Sequence, residues 1–280
     1  MASPRTEQPR IGGAVPRFSW KPALVVLVIL GVTGWSAAGV GFDLVELVSS
    51  TGPIERFLSG MFPPDLSART LTTTARGVLE TFQMSFLGAL IGAVISFPLA
   101  AFATADEATT GASRGERLLR VVPYHLSRFV LNVFRSVPDI LWALVFVVAL
   151  GLGPFPGTLA LAVHSAGILG KLLSETLESV PSRPVEALRA TGAGALQAFL
   201  FGRVPQAISG FTSLTLYQWE CNIRSATILG FVGAGGIGQQ ILISMNLFDY
   251  PKVATLVGAT IIAVLLVDRF SAAVRRRLIY

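Results

Sequence analysis

Apolar and polar residues alternate along this chain on the scale of whole helices. Residues 23–42 are twenty uncharged positions, and a second uncharged run covers 81–105. A membrane helix needs roughly 20 mostly apolar residues, so each run predicts one span. The stretch 140–170 is uncharged too, but Gly151–Gly157 (GLGPFPG) punctuates it and predicts two helices joined by a tight turn. The third helix must then begin near Phe129, with Arg135 and Pro138 in its early turns. The fourth covers about 158–178. Apolar stretches at about 207–231 and 253–274 complete six predicted helices. Between the fourth and fifth lies a polar, helix-forming insert, about 182–205, that lipid cannot accommodate.

Composition agrees with the pattern. The chain is 52% hydrophobic and 14% charged, with mean hydropathy +0.66, whereas soluble domains carry about 25% charged residues. The expected fold is an all-α integral membrane protein of about six transmembrane helices. A net charge of +6 raises the alternative of nucleic acid, but the cations concentrate between and beyond the apolar runs, so no nucleic-acid partner is expected. The single Cys221 excludes an intramolecular disulfide. At the N-terminus, Ser36–Ala38 has the small residues of a cleavage site. The twenty-residue run that contains it, 23–42, exceeds a signal-peptide core of roughly 7–15 residues, which favours a retained first helix.

Lys and Arg counts fix the expected orientation. With the N-terminus in the cytoplasm, the tail to Pro22, the 106–128 and 177–206 loops and the end from Asp268 hold fifteen cations, against four on the opposite side. The positive-inside rule therefore predicts a multi-pass plasma-membrane protein with both termini cytoplasmic. Residues 1–22 read as a cytoplasmic tail, 23–280 as one transmembrane domain, and the polar insert as cytoplasmic.

Within the insert, Ser182 is a candidate N-cap, Pro184 suits a first turn and Glu186 meets the positive helix end. Gly192 and Gly194 weaken the middle, predicting two short helices and a bend. The physical alternative is one amphipathic helix lying on lipid headgroups. The spacing Glu186-Ala187, Gly192 and Pro205 resembles the EAA loop of ABC importer permeases: Glu-Ala-Ala, three residues, Gly, nine residues, Ile-x-Leu-Pro. Here Leu188, Gly202 and Val204 depart from that pattern. The segments RSVPDILWALVFVVALGLGPFPGTLALAVHSAGILGKL, VEALRATGAGALQAFLFGRVPQ and LGFVGAGGIG together resemble the phosphonate permease subunit.

That resemblance implies a type I importer bundle like that of methionine or maltose permeases, and a homodimer in the membrane. It also implies two copies of a cytoplasmic ABC ATPase and an external phosphonate-binding protein. Glu186, Ala187, Gly192 and Pro205 would then couple to the ATPase. Mg-ATP would sit in that partner, with no cofactor or metal in this chain. The implied function is import of phosphonate or a related phosphorus oxyanion by alternating access. Methionine and phosphate are the alternative cargoes.

Two motifs are decoys. Gly233–Gly238 (GAGGIG) satisfies G-x-G-x-x-G, but it follows a membrane helix instead of a strand, and Asp249 and Asp268 lie eleven and thirty residues past it. The structural reading is a helix break with close backbone approach, and Gly235 and Gly236 become candidate gate residues. Gly167–Leu172 lacks both the first Gly and the final Ser/Thr of a P-loop.

Ionisable groups inside spans cost about 2.5–3.5 kcal/mol on insertion scales and are functional candidates by default. Glu220 and Arg224 lie four apart and are expected to pair on one helix face, lining or closing a path. Arg135–Asp139 and Lys171–Glu175 share that spacing and read as packing pairs. His164 is either a pathway ligand or a helix–helix hydrogen bond. An intramembrane enzyme would need a constellation absent here, since there is no H-E-x-x-H and His125 and His164 are the only histidines. A channel or scaffold would need no ATPase-docking loop.

Overall fold

The structure, a computed structural model, describes residues 20–43, 51–104 and 114–279, all organised as helices and their connections. The expected N-terminal tail lies almost wholly outside the described residues, as does 105–113. The chain divides into two compact units at Arg56/Phe57. The first contains α1, Trp20–Gly39, an apolar helix in which no residue is buried. Helix α2 is Thr51–Gly60.

The second unit is built on α3, Ala68–Ala103, and α6, Pro154–Ser179, which run parallel. Their seam explains the small residues spaced along both. A Cβ on Gly88 would stand 2.7 Å from Leu161 Cβ, and one on Gly92 would stand 2.6 Å from Ser165 Cβ. Without a hydrophobic force between helices in lipid, such close backbone approach supplies the packing energy. Further along, Ala100 packs with Leu173, Leu177 and Ala207. Helix α3 begins thirteen residues before the uncharged run that predicted it. Ser67 caps it, accepting from Thr70 N at 3.4 Å. Asp65 accepts from the Thr70 hydroxyl and from Ser67. These bonds, that of Thr70 foremost, hold its carboxyl below the ordinary value, so their stabilisation fades as pH falls through that lowered value.

The third span differs most from expectation. Helix α4, Arg114–Ser136, takes in much of the expected 106–128 loop and ends at Val137-Pro138. Helix α5, Asp139–Leu150, starts afresh with Pro138 as its N-cap, and the two axes meet at 90°. Pro138 cannot donate into a continuing helix and pushes Val137 out of helical conformation. Trp142 Nε1 donates to Phe134 O at 3.2 Å across the corner. Arg135 and Asp139 therefore flank a break and do not pair: Arg135 Nε donates to Asn132 Oδ1 at 3.1 Å, and Asp139 Oδ1 accepts from Ile140 N at 2.8 Å.

A short turn, 151–153, leads into α6. After it come α7, Arg183–Ala190, and the single turn α8, Ala195–Ala198. A π-helical turn, Phe199–Arg203, then opens into α9, Val204–Leu229. Helix α10, Gly236–Asn246, was not expected: it occupies what read as an outer loop. Helix α11, Tyr250–Ile279, runs back antiparallel to α9. Among the described residues, four helices are long and apolar enough to cross a membrane. They become six if the bent pairs α4–α5 and α8/α9–α10 each count as one span.

Arg128 ties three elements together. Its Nε donates to Ala103 O at 3.0 Å and its Nη2 to Glu178 Oε1 at 2.7 Å, with the guanidinium 4.7 Å above the Tyr124 ring. Both ion-pair partners are about a third exposed, so screening trims the Coulomb gain. Arg128→Leu should lower the stability of the detergent-solubilised protein by about 1–2 kcal/mol, and Arg128→Lys should recover part of it. Gly92→Val, which forces apart the α3–α6 seam, should cost about 1–3 kcal/mol. Thermal unfolding in detergent checks both.

Candidate functional site

The polar insert folds as a helix–turn–helix whose stop is built by Gly192. That residue has φ +88°, a conformation glycine adopts without strain. Its N–H donates to Arg189 O at 3.0 Å and the Ala193 N–H donates to Leu188 O at 3.2 Å, the two bonds of a Schellman stop. Ser182 takes the N-cap position, but its hydroxyl makes no capping bond. Gln197 Oε1 accepts from Gly194 N at 3.0 Å and starts α8.

The halves of the insert close on each other at Gly202. A Cβ there would stand 3.2 Å from Val185 Cα and 3.1 Å from Leu188 Cδ1, which accounts for glycine where the EAA pattern has isoleucine. Val185, Ala198 and Gly202 are buried, while Glu186, Ala187, Gly192 and Pro205 are exposed. Leu196 and Phe201 are 69% and 72% exposed, with Leu200 at 41%. The loop thus keeps a small core and turns apolar side chains outward.

The glycine motif performs as a break. Gly233, Gly235 and Gly236 all have positive φ. Gly153 N donates to Gly233 O at 3.0 Å, joining the break to the α5–α6 turn. Gly236 N donates to Glu80 Oε2 at 3.2 Å and Ile237 N donates to Thr81 Oγ1 at 2.9 Å. Two N–H groups exposed at the start of α10 are therefore satisfied from α3. Gly167 and Gly170, the other decoy, lie mid-helix in α6. Cβ atoms on them would stand 2.5 Å from Arg135 N and 2.3 Å from Leu131 Cδ2.

The charges inside the spans pair differently from expectation. Glu220 does not pair with Arg224. Its Oε1 lies 2.7 Å from Arg275 Nη2, while Arg224 Nη1 lies 3.5 Å from Asp268 Oδ2. Both partners belong to α11, because antiparallel packing brings that helix alongside α9. The expected i,i+4 pair is thus replaced by a four-charge clasp between helices. The Glu220–Arg275 contact is close, yet its angle falls short of a hydrogen bond, leaving Oε1 without a bonded donor. Lys171 and Glu175 do pair within α6, at 2.9 Å. His164 Nδ1 donates to Val137 O at 3.1 Å, so this ring braces the α4–α5 corner. Among the described residues no three metal-ligating side chains cluster.

A buried polar knot was not anticipated. The Asn222 amide meets the Ser165 hydroxyl at 2.9 Å and the Gln218 amide at 3.0 Å. These three residues and Ser85, whose carbonyl is 3.5 Å from Asn222 Nδ2, are all buried where α3, α6 and α9 meet. Two amides four apart in an apolar helix, Gln218 and Asn222, were the available signal.

Comparison with known proteins agrees with this geometry. Residues 108–280 match the family described as "Binding-protein-dependent transport system inner membrane component". The phosphite transport system permease protein PtxC of Stutzerimonas stutzeri is 34% identical, covering 92% of this chain and 90% of that protein. The phosphate-import permease protein PhnE of Mycolicibacterium smegmatis is also 34% identical, over 87% of this chain and 44% of that protein. An inward-facing structure of the MetNI methionine ABC transporter shares the fold, with TM-score 0.64 and 24% identity over 76% of this chain and 99% of that one. The chain belongs to the binding-protein-dependent inner-membrane permease family and is a permease of an ABC importer.

A double-mutant cycle separates the two pairings of Glu220. Glu220→Gln with Arg275→Gln should show a coupling of about 1–3 kcal/mol in detergent unfolding, whereas Glu220→Gln with Arg224→Gln should add to within about 0.5 kcal/mol.

Proposed function

We propose, from that family membership, that this chain is the transmembrane subunit of an ATP-driven importer of phosphorus oxyanions, with phosphonate as the preferred reading. The observation that carries it is the outward apolar surface of the 183–205 loop. Leu196, Leu200 and Phe201 stand exposed beside Glu186 on a helix pair held rigid by the Gly192 stop and the Gly202 contact. A rigid knob with an apolar tip is suited to seat in a groove of a cytoplasmic ATPase. Its continuity with α9 through the π-helical turn gives motion of the ATPase a direct route into the bundle.

Two copies of the chain would pair in the membrane over two ATPase subunits, with both termini and the loop cytoplasmic. The cation distribution supports this orientation. An external binding protein would deliver cargo to the opposite face, where the Gly233–Gly238 break lies among α3, α5 and α6. Gly235 and Gly236 would let this break flex as one gate. The phosphorus cargo rests on likeness to permeases named for phosphite and phosphate. Such oxyanions carry one to two negative charges near neutral pH. A path holding bare arginines would bind them too firmly to release, and the Glu220–Arg275 and Arg224–Asp268 pairings soften that attraction.

The assembled transporter should retain a P-loop ATPase through affinity purification of this chain. Glu186→Lys, Gly192→Trp and Phe201→Asp should each reduce that ATPase about tenfold or more, since a docking anchor typically supplies at least ~1.4 kcal/mol. Retention at the wild-type level by all three would sink the docking role. Mass spectrometry of the ligand held by the external binding protein identifies the cargo, and an amino acid there would overturn the oxyanion assignment.

A further inference from the structure

Below the clasp, α9 carries an open groove of about 610 Å³ lined by Thr176, Ser209, Ser213, Leu214, Tyr217 and Arg275. It differs from two other grooves of the bundle. The grooves beside α3 near Leu79 and near Val94 are lined by aliphatic and aromatic side chains with a few threonines, and neither holds a charged group. Here serine, serine and tyrosine recur four residues apart, and Arg224 continues the same side of the helix one and a half to two turns further on. Tyr217 is 52% exposed and the Arg224 side chain 48%. A half-exposed arginine on this face is unsuited to lipid, so the face meets water or polar protein.

The hydroxyls are also available. Thr212 and Thr215 on the same helix donate back to Ile208 O and Phe211 O, and Thr176 donates to Leu172 O. Ser209 and Ser213 make no hydrogen bond among the described residues. Arg275 contributes charge at the groove wall, but its Nη2 lies against Glu220 Oε1 at 2.7 Å. The groove therefore offers free hydroxyl donors and a cation already half neutralised. A tetrahedral oxyanion needs several donors and a weak net attraction in order to be held and then released.

We propose that this groove is a contact station for the phosphorus oxyanion on its way through the permease, with Ser209 and Ser213 as hydrogen-bond donors and Arg275 as the tempered counter-charge. This rests on the importer reading for its cargo and deepens it by naming the residues that meet the anion. Glu220 sets the strength of the site by how far it neutralises Arg275. Arg224, held by Asp268, lies beyond the groove.

The test uses the full chain in membrane vesicles opened to both sides, with Cys221→Ser as background and one new cysteine, Ser213→Cys or Ser209→Cys. Modification rates are compared for an anionic and a cationic methanethiosulfonate, normalised to Leu196→Cys on the exposed loop. The anion-to-cation ratio at 213 should exceed the control about fivefold or more, the range expected of a focused local potential. Arg275→Gln should return it to the control value, Arg275→Lys should preserve it, and Glu220→Gln should raise it further. A fold defect would not shift the ratio in opposite directions for the two halves of one pair. Millimolar methylphosphonate or inorganic phosphate should slow modification at 213 and leave 196 unchanged. No reaction at 209 or 213, a ratio equal to the control, or a ratio indifferent to both Arg275→Gln and Glu220→Gln overturns the proposal. ATPase retention is read separately from these rates, so failure of the importer reading is distinguishable from failure of the groove.

Discussion

Helices surrounded by lipid gain nothing by hiding apolar side chains from one another, because the lipid is as apolar as they are. They associate where backbones come close enough for dispersion and polar contact to exceed what lipid offers. In this chain that condition is met along α3 and α6. Gly88 and Gly92 admit Leu161 and Ser165 with no room for a methyl group. Ala100 then meets Leu173 and Leu177 at the far end of the seam. The other helices of the second unit are placed relative to this pair. The opposite side of α6 receives α4 at Gly167 and Gly170, and α9 enters where Ser165 reaches Asn222.

A second constraint governs the interruptions. A helix that stops inside a membrane exposes amides and carbonyls that water cannot reach, so each break must find partners in its neighbours. The break after α9 takes donors and acceptors from two directions: Glu80 and Thr81 of α3 for the first amides of α10, and Gly153 for the Gly233 carbonyl. The α4–α5 corner is closed by Trp142 and His164. Both breaks are thereby fixed by contacts from α3 and α6, or from the turn between α5 and α6. This makes the seam a reference frame against which broken helices can be held or released.

The features legible in the sequence were those with a local cause. Apolar run length gave the spans, Gly151–Gly157 marked a turn, and the pattern from Glu186 to Pro205 marked the insert. Features caused by distant residues were not legible. The uncharged run at 81–105 hid thirteen further helical residues, because Arg69, Arg76 and Glu80 end the run without ending the helix. Pro138 was read as an early-turn proline, yet its effect depends on a corner that His164 stabilises from twenty-seven residues away. Pairing of Glu220 with Arg224 followed from helical spacing alone, and nothing in the chain announced that α11 would lie alongside with Asp268 and Arg275.

That last displacement changes what the charges can do. A pair within one helix travels with that helix and leaves its relation to any neighbour untouched. A pair between α9 and α11 resists their sliding, and two pairs spaced about a helical turn or two apart resist rotation as well. Glu220 is buried and its partner Arg275 three-quarters so, which makes separation costly, since an isolated buried charge loses its compensation. Arg224 and Asp268 are more exposed and easier to part. Motion entering α9 from the 183–205 loop would therefore carry α11 along at the deeper pair and yield first at the outer one. The clasp is then a graded hinge: rigid where α9 meets the hydroxyl-lined groove, compliant toward the glycine break.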